Sequence, residues 1–467
     1  MTTEILTSLH GNEVGLSASN ELVIRSNRIR SQSGDPIIFE DGIAPSFGGG
    51  PILGKRVGAI GDSQTSQSFT SSATVYNWES KGWVPWFKSF AGQGVYFPYT
   101  HIFATSGYTT AQIIANHLSN AIAARLDIAF VLVGGNDIAD SGTSVATTIA
   151  NLKQIYDDLM DAGAVVIAAP ITPRTNSMDA TTKAKKAAVN DFIYQYGLTK
   201  SRLIVARTNR YLIDATSSTG DQRSGILQSD NLHLSTLGAY EEAKEFYNAA
   251  LPYLPPTDVR ILDATDVYDS THNLRGSLIT NGLLNGTGGS VTGTGNSGTV
   301  ADSWTFENIT GTGSRGDLTA VCSKVASTDG ENAEWQQIVL SGTPTATYVY
   351  FLRPSSAIST NFTAGVDRVY ENFEYEVDYG ATGLLQVGCS FTDGTFTSRD
   401  PVYSFNTSEG DYPGSEVIKG VRQTEPFLIT SGAITINPRV AITVRGNVAV
   451  SATIRIRRIE ARKVVSI

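Results

Sequence analysis

Between Gly54 and about Leu254 short, wholly apolar runs alternate with longer amphipathic ones, and this rhythm restricts the fold more than any other feature. The run 128–133 (Ile-Ala-Phe-Val-Leu-Val) is apolar at every position, as a strand covered on both faces requires. Similar strand-like runs fall at 56–60, 164–169 and 202–206. Between them, 109–125 places Ile113, Ile114, His117, Leu118, Ala121 and Ile122 on one helical face. Helical patterns also cover 145–160, 180–196 and 236–251, the last with Ser235 as its N-cap. Strands and helices in this order predict a parallel sheet with helices on both faces.

Pro252, Pro255 and Pro256 end that rhythm. Beyond them Thr, Ser, Gly and Asn dominate, 286–298 reads as a Gly-rich loop, and strands are predicted at 348–352, 373–377, 384–391, 440–444 and 452–456. Such spacing describes an antiparallel sandwich or jelly roll. Residues 1–50 lack helical periodicity, and 22–25 and 28–30 read as strand pieces. The expected organisation is therefore an N-terminal strand-rich attachment segment (1–50), an α/β domain (51–255) and a β-sandwich (256–467).

Several function classes are excluded by composition. The net charge of −9, without a basic block, leaves no face for nucleic acid. No run approaches the roughly 18 apolar residues of a membrane span. The first residues have neither the basic start nor the apolar stretch of a secretory signal. Cys322 and Cys389 are the only cysteines; one bridge is possible, but two small buried hydrophobes is the preferred reading.

Small motifs in the α/β segment carry the chemistry. Gly61-Asp62-Ser63 directly follows the first strand, where open α/β sheets bind ligands. Gly134-Gly135-Asn136-Asp137 follows the run 128–133, so an amide there can meet a developing oxyanion; an ordinary strand-ending turn has the same composition. In Asp230-Asn231-Leu232-His233 a carboxylate three residues before an imidazole can hold its Nδ1–H and aim the other nitrogen at a nucleophile. A second Asp-x-x-His, Asp269 to His272, lies past the prolines, after the sheet should be complete. His10, His101 and His117 have no acid three residues before them, and His117 reads as a core residue. Asp62 and Asp137 read as loop-fixing side chains.

Singly each motif is weak, but together, in this order and each at a strand end or helix start, the chain resembles the SGNH/GDSL hydrolases over about 54–253. The family's middle glycine has its counterpart in Ser106-Gly107-Tyr108, and the one departure is Gln64, where many members carry Leu or Ile. The resemblance implies a flavodoxin-like three-layer α/β/α domain, with Ser63 as nucleophile, His233 as general base and Asp230 orienting it. The N–H groups of Ser63 and Gly107 and the Asn136 amide would form the oxyanion hole. No metal or cofactor is implied. Tyr108 and Trp78 are candidates to line a sugar cleft, whereas Trp83 and Trp86 have the helical spacing of core residues.

The expected function is a serine esterase removing O-acetyl groups from a polysaccharide. Residues 54–253 show no apolar insertion to serve as a lid for long acyl chains, and the Thr- and Asn-rich tail is similar to sugar-binding modules. With the strand-rich N-terminus and missing signal, the chain is also similar to phage tail-fibre or tailspike esterases. That implies a virion protein, a homotrimer or contacts to other tail proteins, and an acetylated O-antigen or capsule as substrate. The alternatives are a catalytically inert receptor-binding adhesin, and a general short-chain or lipase-like hydrolase of metabolism.

Overall fold

The computed structural model describes residues 55–464, apart from 140–141, 177, 219, 256–260, 262, 309–313, 329–333 and 403–408, together with two short N-terminal strands. Residues 1–50 and 51–465 form separate compact units. Of the first, Val14–Leu16 and Leu22–Ile24 pair antiparallel. The strand piece expected at 28–30 lies outside the described residues.

A parallel sheet organises the first part of the large unit. Strand Lys55–Gly61 pairs with Ile128–Leu132, that with Val165–Ala168, and that with Leu203–Val205. On its other side Lys55–Gly61 takes Val95–Tyr96 and Ile102–Ala104 at its two ends. Taking those two pieces as one, the strand order is 2-1-3-4-5, so the direction in which successive strands are added reverses between Lys55–Gly61 and Ile128–Leu132. The crevice at such a reversal is where open α/β sheets bind ligands.

The all-apolar run divides its side chains between two cores, which is why no position in it is polar. Ile128, Phe130 and Leu132 enter one with Trp83, Phe87 and Phe246; Ala129, Val131 and Val133 enter the other with Leu152, Ile155 and Ile193. Helices Trp83–Ala91 and Thr236–Ala250 therefore cover one face, and Val145–Asp161 and Ala180–Gly197 the other. Ser235 caps its helix, accepting from the Gly238 N–H at 3.1 Å. The helix expected at 109–125 forms with a π-turn at Ile114–Leu118 in its middle.

After residue 286 the chain builds two sheets, supplying six of eight strands in one and all seven in the other, and both contribute to one hydrophobic cluster. The strands expected at 348–352, 373–377, 384–391, 440–444 and 452–456 all form. The Gly-rich segment also holds short strands, Ser290–Val291 and Asn296–Gly298, and Thr319–Ala326 and Glu334–Gly342 are strands the sequence reading did not predict. Cys322 and Cys389 are buried and not joined to one another.

The α/β segment and the β-rich segment share structure. The hairpin Phe69–Ser71 and Val75–Glu79, within 51–255, joins the eight-stranded sheet by pairing parallel with Thr397–Val402. Trp86 packs edge-on against Tyr240 and Tyr412, and the Arg422 guanidinium lies 4.6 Å from its ring centre. Ser89 reaches Tyr375 at 3.1 Å and Gln93 reaches Glu460 at 2.7 Å. At Gly420 an added Cβ would stand 2.3 Å from Ser89 Oγ, so only glycine admits the helix this close.

Candidate active site

Ser63 opens the short helix Ser63–Ser66 directly after the first strand and is largely buried. Asp62 caps that turn, its Oδ1 accepting the Gln64 N–H at 3.0 Å. Gly61 permits it, because a Cβ there would lie 2.5 Å from both Leu132 O and Thr65 Oγ1. Burial pushes the Asp62 carboxyl up to about 7, against the hydrogen bond from Gln64 and the nearby Arg174.

Asn136 follows the third strand, and its amide donates to Tyr108 O at 3.0 Å. Asp137 accepts the Thr110 N–H at 2.8 Å and the Thr110 hydroxyl at 2.5 Å. The Asn136 turn is thereby tied to the loop holding Gly107. Gly107 takes φ +80°, the left-handed region, with open space where a Cβ would project.

Asp230 builds the third corner. Its Oδ1 accepts the N–H groups of Leu232 (2.9 Å) and His233 (3.0 Å), and its Oδ2 lies 2.6 Å from His233 Nδ1. Burial raises the Asp230 carboxyl, but these hydrogen bonds outweigh it and hold it below the usual value. Asn231 sits at φ +57°, and its carbonyl accepts the N–H groups of Thr175 and Asn176, both at 3.1 Å. Gln64 joins this loop to the serine turn: its Nε2 donates to Leu232 O at 2.8 Å. Among the described residues no hydrogen bond links Ser63 Oγ to the His233 ring, so the two corners meet through Gln64 and Leu232.

A cavity of about 20 Å³ lies at this meeting point, lined by Ser63, Gln64, Asn136, Ile171, Arg174 and Leu232 among others. That is space for roughly one water-sized group. Sequence reasoning missed Arg174, Thr172 and Glu242, although 171–174 directly follows a parallel strand, which is a usable signal. Glu242 is fully buried, accepts from Thr172 Oγ1 at 3.4 Å, and burial pushes its carboxyl up to about 8. Gln64, read from sequence only as a more polar residue, is the link between two motifs.

Other predicted residues fall away from the site or change role. Trp78 has no exposed surface; it packs against Phe69 and under Lys88, whose Nζ is 3.8 Å from the ring centre, and so offers no face to a sugar. Trp83 and Trp86 are also fully buried. Tyr108 stays half-buried beside Asn136, with His117 tilted against it. His117 is held by Thr105 Oγ1 at 2.8 Å, and His101 by Val57 O at 2.9 Å. His272 repeats the local pattern, with Asp269 Oδ1 3.1 Å from Nδ1, but the imidazole is 84 % exposed and, among the described residues, bonds to no serine. His10 lies outside the described residues. Among the described residues no helix is long and apolar enough to cross a membrane, and no group of acidic, His or Cys side chains could hold a metal ion.

Residues 59–240, under half of the chain, match the family model described as the GDSL-like Lipase/Acylhydrolase family. No curated protein matches. Among solved structures, the chain is similar to a lipase/acylhydrolase from Enterococcus faecalis (17 % identity, 44 % of this chain and 99 % of that one, TM-score 0.36). It is also similar to a carbohydrate esterase family 3 protein from Talaromyces cellulolyticus (16 %, 43 % and 97 %, TM-score 0.32). A family 3 carbohydrate esterase from Clostridium thermocellum gives 17 %, 43 % and 96 %, with a TM-score of 0.33. At these scores the structural likenesses carry no inference about activity. The matched span contains all three corners: Ser63, Asn136, and Asp230 with His233.

Proposed function

We propose that the chain is a serine esterase that removes O-acetyl groups from a polysaccharide. The carrying observation is that Asp230–His233, at 2.6 Å, is tethered by Gln64 to the turn of a largely buried serine at the crevice of a parallel sheet. Serine needs a base to become nucleophilic. His233 Nε2 takes the Ser63 proton as Oγ attacks the acyl carbonyl, and Asp230 holds the Nδ1–H of the resulting imidazolium. The Asn136 amide and the N–H groups of Ser63 and Gly107 meet the oxyanion. His233 returns the proton to the departing sugar oxygen, and water, deprotonated by His233, then releases acetate. The small cavity beside Ser63 supports a short acyl group over a long chain. The β-rich segment supports a polymeric saccharide, and we place the protein on a phage tail as a homotrimer acting on acetylated O-antigen or capsule.

The test is hydrolysis of p-nitrophenyl acetate by wild type and Ser63→Ala, with mass spectrometry of a candidate capsule before and after treatment. Wild type should release acetate from both, and the variant from neither, with its circular dichroism unchanged. A wild type inert on both would instead mark an adhesin.

A further inference from the structure

The outer face of the eight-stranded sheet carries a second concavity, a groove of about 700 Å³ lined by residues including Glu307, Asn308, Phe351, Arg353, Asn437 and Arg439. Small-molecule clefts have this size. Its floor follows from strand alternation: Tyr350 and Leu352 are buried in the core, so Phe351 and Arg353 point the other way. Phe351 stands opposite Glu307 on one neighbouring strand and Ala441 on the other. Gly293 closes one wall so tightly that a Cβ would fall 1.7 Å from Asn308 Oδ1.

The polar groups differ in how far they are committed. Arg353 is spent on structure: its Nε and Nη2 donate to the two Glu307 oxygens at 2.7 and 3.0 Å, and its Nη1 to Pro354 O at 2.9 Å. Arg439 is not. Its Nε and Nη2 donate to Ser390 O (3.0 Å) and Oγ (3.1 Å), which leaves the Nη1–Nη2 edge of the fork uncommitted. Among the described residues no carboxylate lies within ion-pair distance of that guanidinium, which stands 4.4 Å from the centre of the Phe351 ring. The buried acid Glu371 accepts the Arg439 backbone N–H at 3.2 Å, and burial holds its carboxyl well above the usual range. The side-chain amides of Asn308 and Asn437 make no hydrogen bond among the described residues.

We infer that this groove is a saccharide-binding site selective for a carboxylated sugar, such as a uronate. The carboxylate takes the free edge of Arg439, since a guanidinium fork matches it bidentately. The two amides each offer a donor pair and an acceptor to ring hydroxyls, and Phe351 supplies apolar contact for a pyranose face. A polyphosphate backbone fits less well, because the lining carries one uncommitted cation on a chain of net charge −9. The choice of a saccharide rests on the esterase reading, but the groove binds by groups that take no part in turnover.

The experiment is calorimetric titration of the full-length protein with trigalacturonate and trimannuronate, and with the same trisaccharides after reduction of their carboxyls. At least one acidic trisaccharide should bind, its reduced form at least tenfold more weakly. Arg439→Gln should weaken the acidic ligand at least tenfold, and Asn437→Ala, a milder change, at least threefold. Binding should persist in Ser63→Ala, and p-nitrophenyl acetate turnover should be unchanged in the groove variants. Binding lost in a folded Ser63→Ala would place the ligand at Ser63 and overturn the inference. So would equal affinity for acidic and reduced trisaccharides, unaltered binding by a folded Arg439→Gln, or no binding by either acid. An inactive esterase that still binds uronate would sink the catalytic reading and leave the groove standing.

Discussion

Replacing Asp230 by asparagine separates what the Asp-x-x-His turn does locally from what it does for the serine. In the native turn Oδ1 accepts two backbone N–H groups at 2.9 and 3.0 Å, and Oδ2 accepts from His233 Nδ1 at 2.6 Å. An asparagine keeps Oδ1 and both backbone bonds, so the loop should hold its shape. Its amide, however, presents N–H to Nδ1, which must then offer a lone pair. The ring proton moves to Nε2, the atom that accepts from Ser63 in the proposed mechanism. In a Ser-His-Asp triad the change of tautomer alone is worth up to about 10⁴ in kcat. Here the Asp230 side chain is 43 % exposed, so water relieves part of the mismatch. The expected loss is therefore about 10²–10⁴-fold, or ~3–5 kcal/mol of barrier. Stability should change with a defined sign. The Asp230 carboxyl is held below its ordinary 3.8, so its stabilisation is present above that pH and lost as pH falls through the lower, folded value. Wild type and variant should thus differ in melting temperature at pH 6 and converge near pH 2. Initial rates on p-nitrophenyl acetate, with thermal melts by circular dichroism, measure both. Asp269→Asn, in the exposed copy of the motif, is the matched control and should lose nothing. A folded Asp230→Asn with wild-type kcat, or a loss in Asp269→Asn alone, would refute the assignment.

Other expectations rest on separate parts of the molecule. Asn136→Ala should lower kcat about 10²–10³-fold with little change in KM if its amide meets the oxyanion; a change confined to KM would assign it only to holding Tyr108. Glu242 is raised from 4.5 to about 8, so wild type loses stability as pH climbs through that window; Glu242→Gln should reduce the slope, leaving the part due to Asp62, and be on the order of 2–4 kcal/mol more stable at pH 9 than wild type, read from urea melts at pH 5 and 9. Trp86→Ala should cost about 3–5 kcal/mol, in a single transition that takes the β-rich segment with it, and two separate transitions by calorimetry would contradict a shared core. For the same reason a fragment ending at 255 should aggregate, since it bares the hairpin edge at Val75–Glu79 and the Trp86 face; a soluble monomer by light scattering would count against this.

Much of the α/β segment was legible because its signals are local. A run with no polar residue must be covered on both faces, and helix caps such as Ser235 act within one turn. The edges of the β-rich segment were harder. Strands such as Ser290–Val291 hold only two residues, and their place is set by partners distant in sequence, such as Thr305 and Phe306. The burial of Trp78 was hidden for a related reason: its closeness in sequence to Ser63 suggests a cleft residue, whereas its hairpin is pulled into a sheet formed more than three hundred residues later.

The two Asp-x-x-His segments divide the rest. By itself the sequence determined that both would fold the same way, because a carboxylate two and three residues before backbone N–H groups closes on them wherever the chain places it. Which of the two is tethered to the Ser63 turn was decided only by tertiary structure. The 230–233 turn precedes the helix that returns across the sheet, and Gln64 fastens it to the Ser63 turn, while His272 is left 84 % exposed to water. Hydrogen bonds within a few residues are encoded locally; the meeting of the Ser63 turn, Asn136 and the loop at Leu232 needs the strand order that brings these distant segments to one crevice.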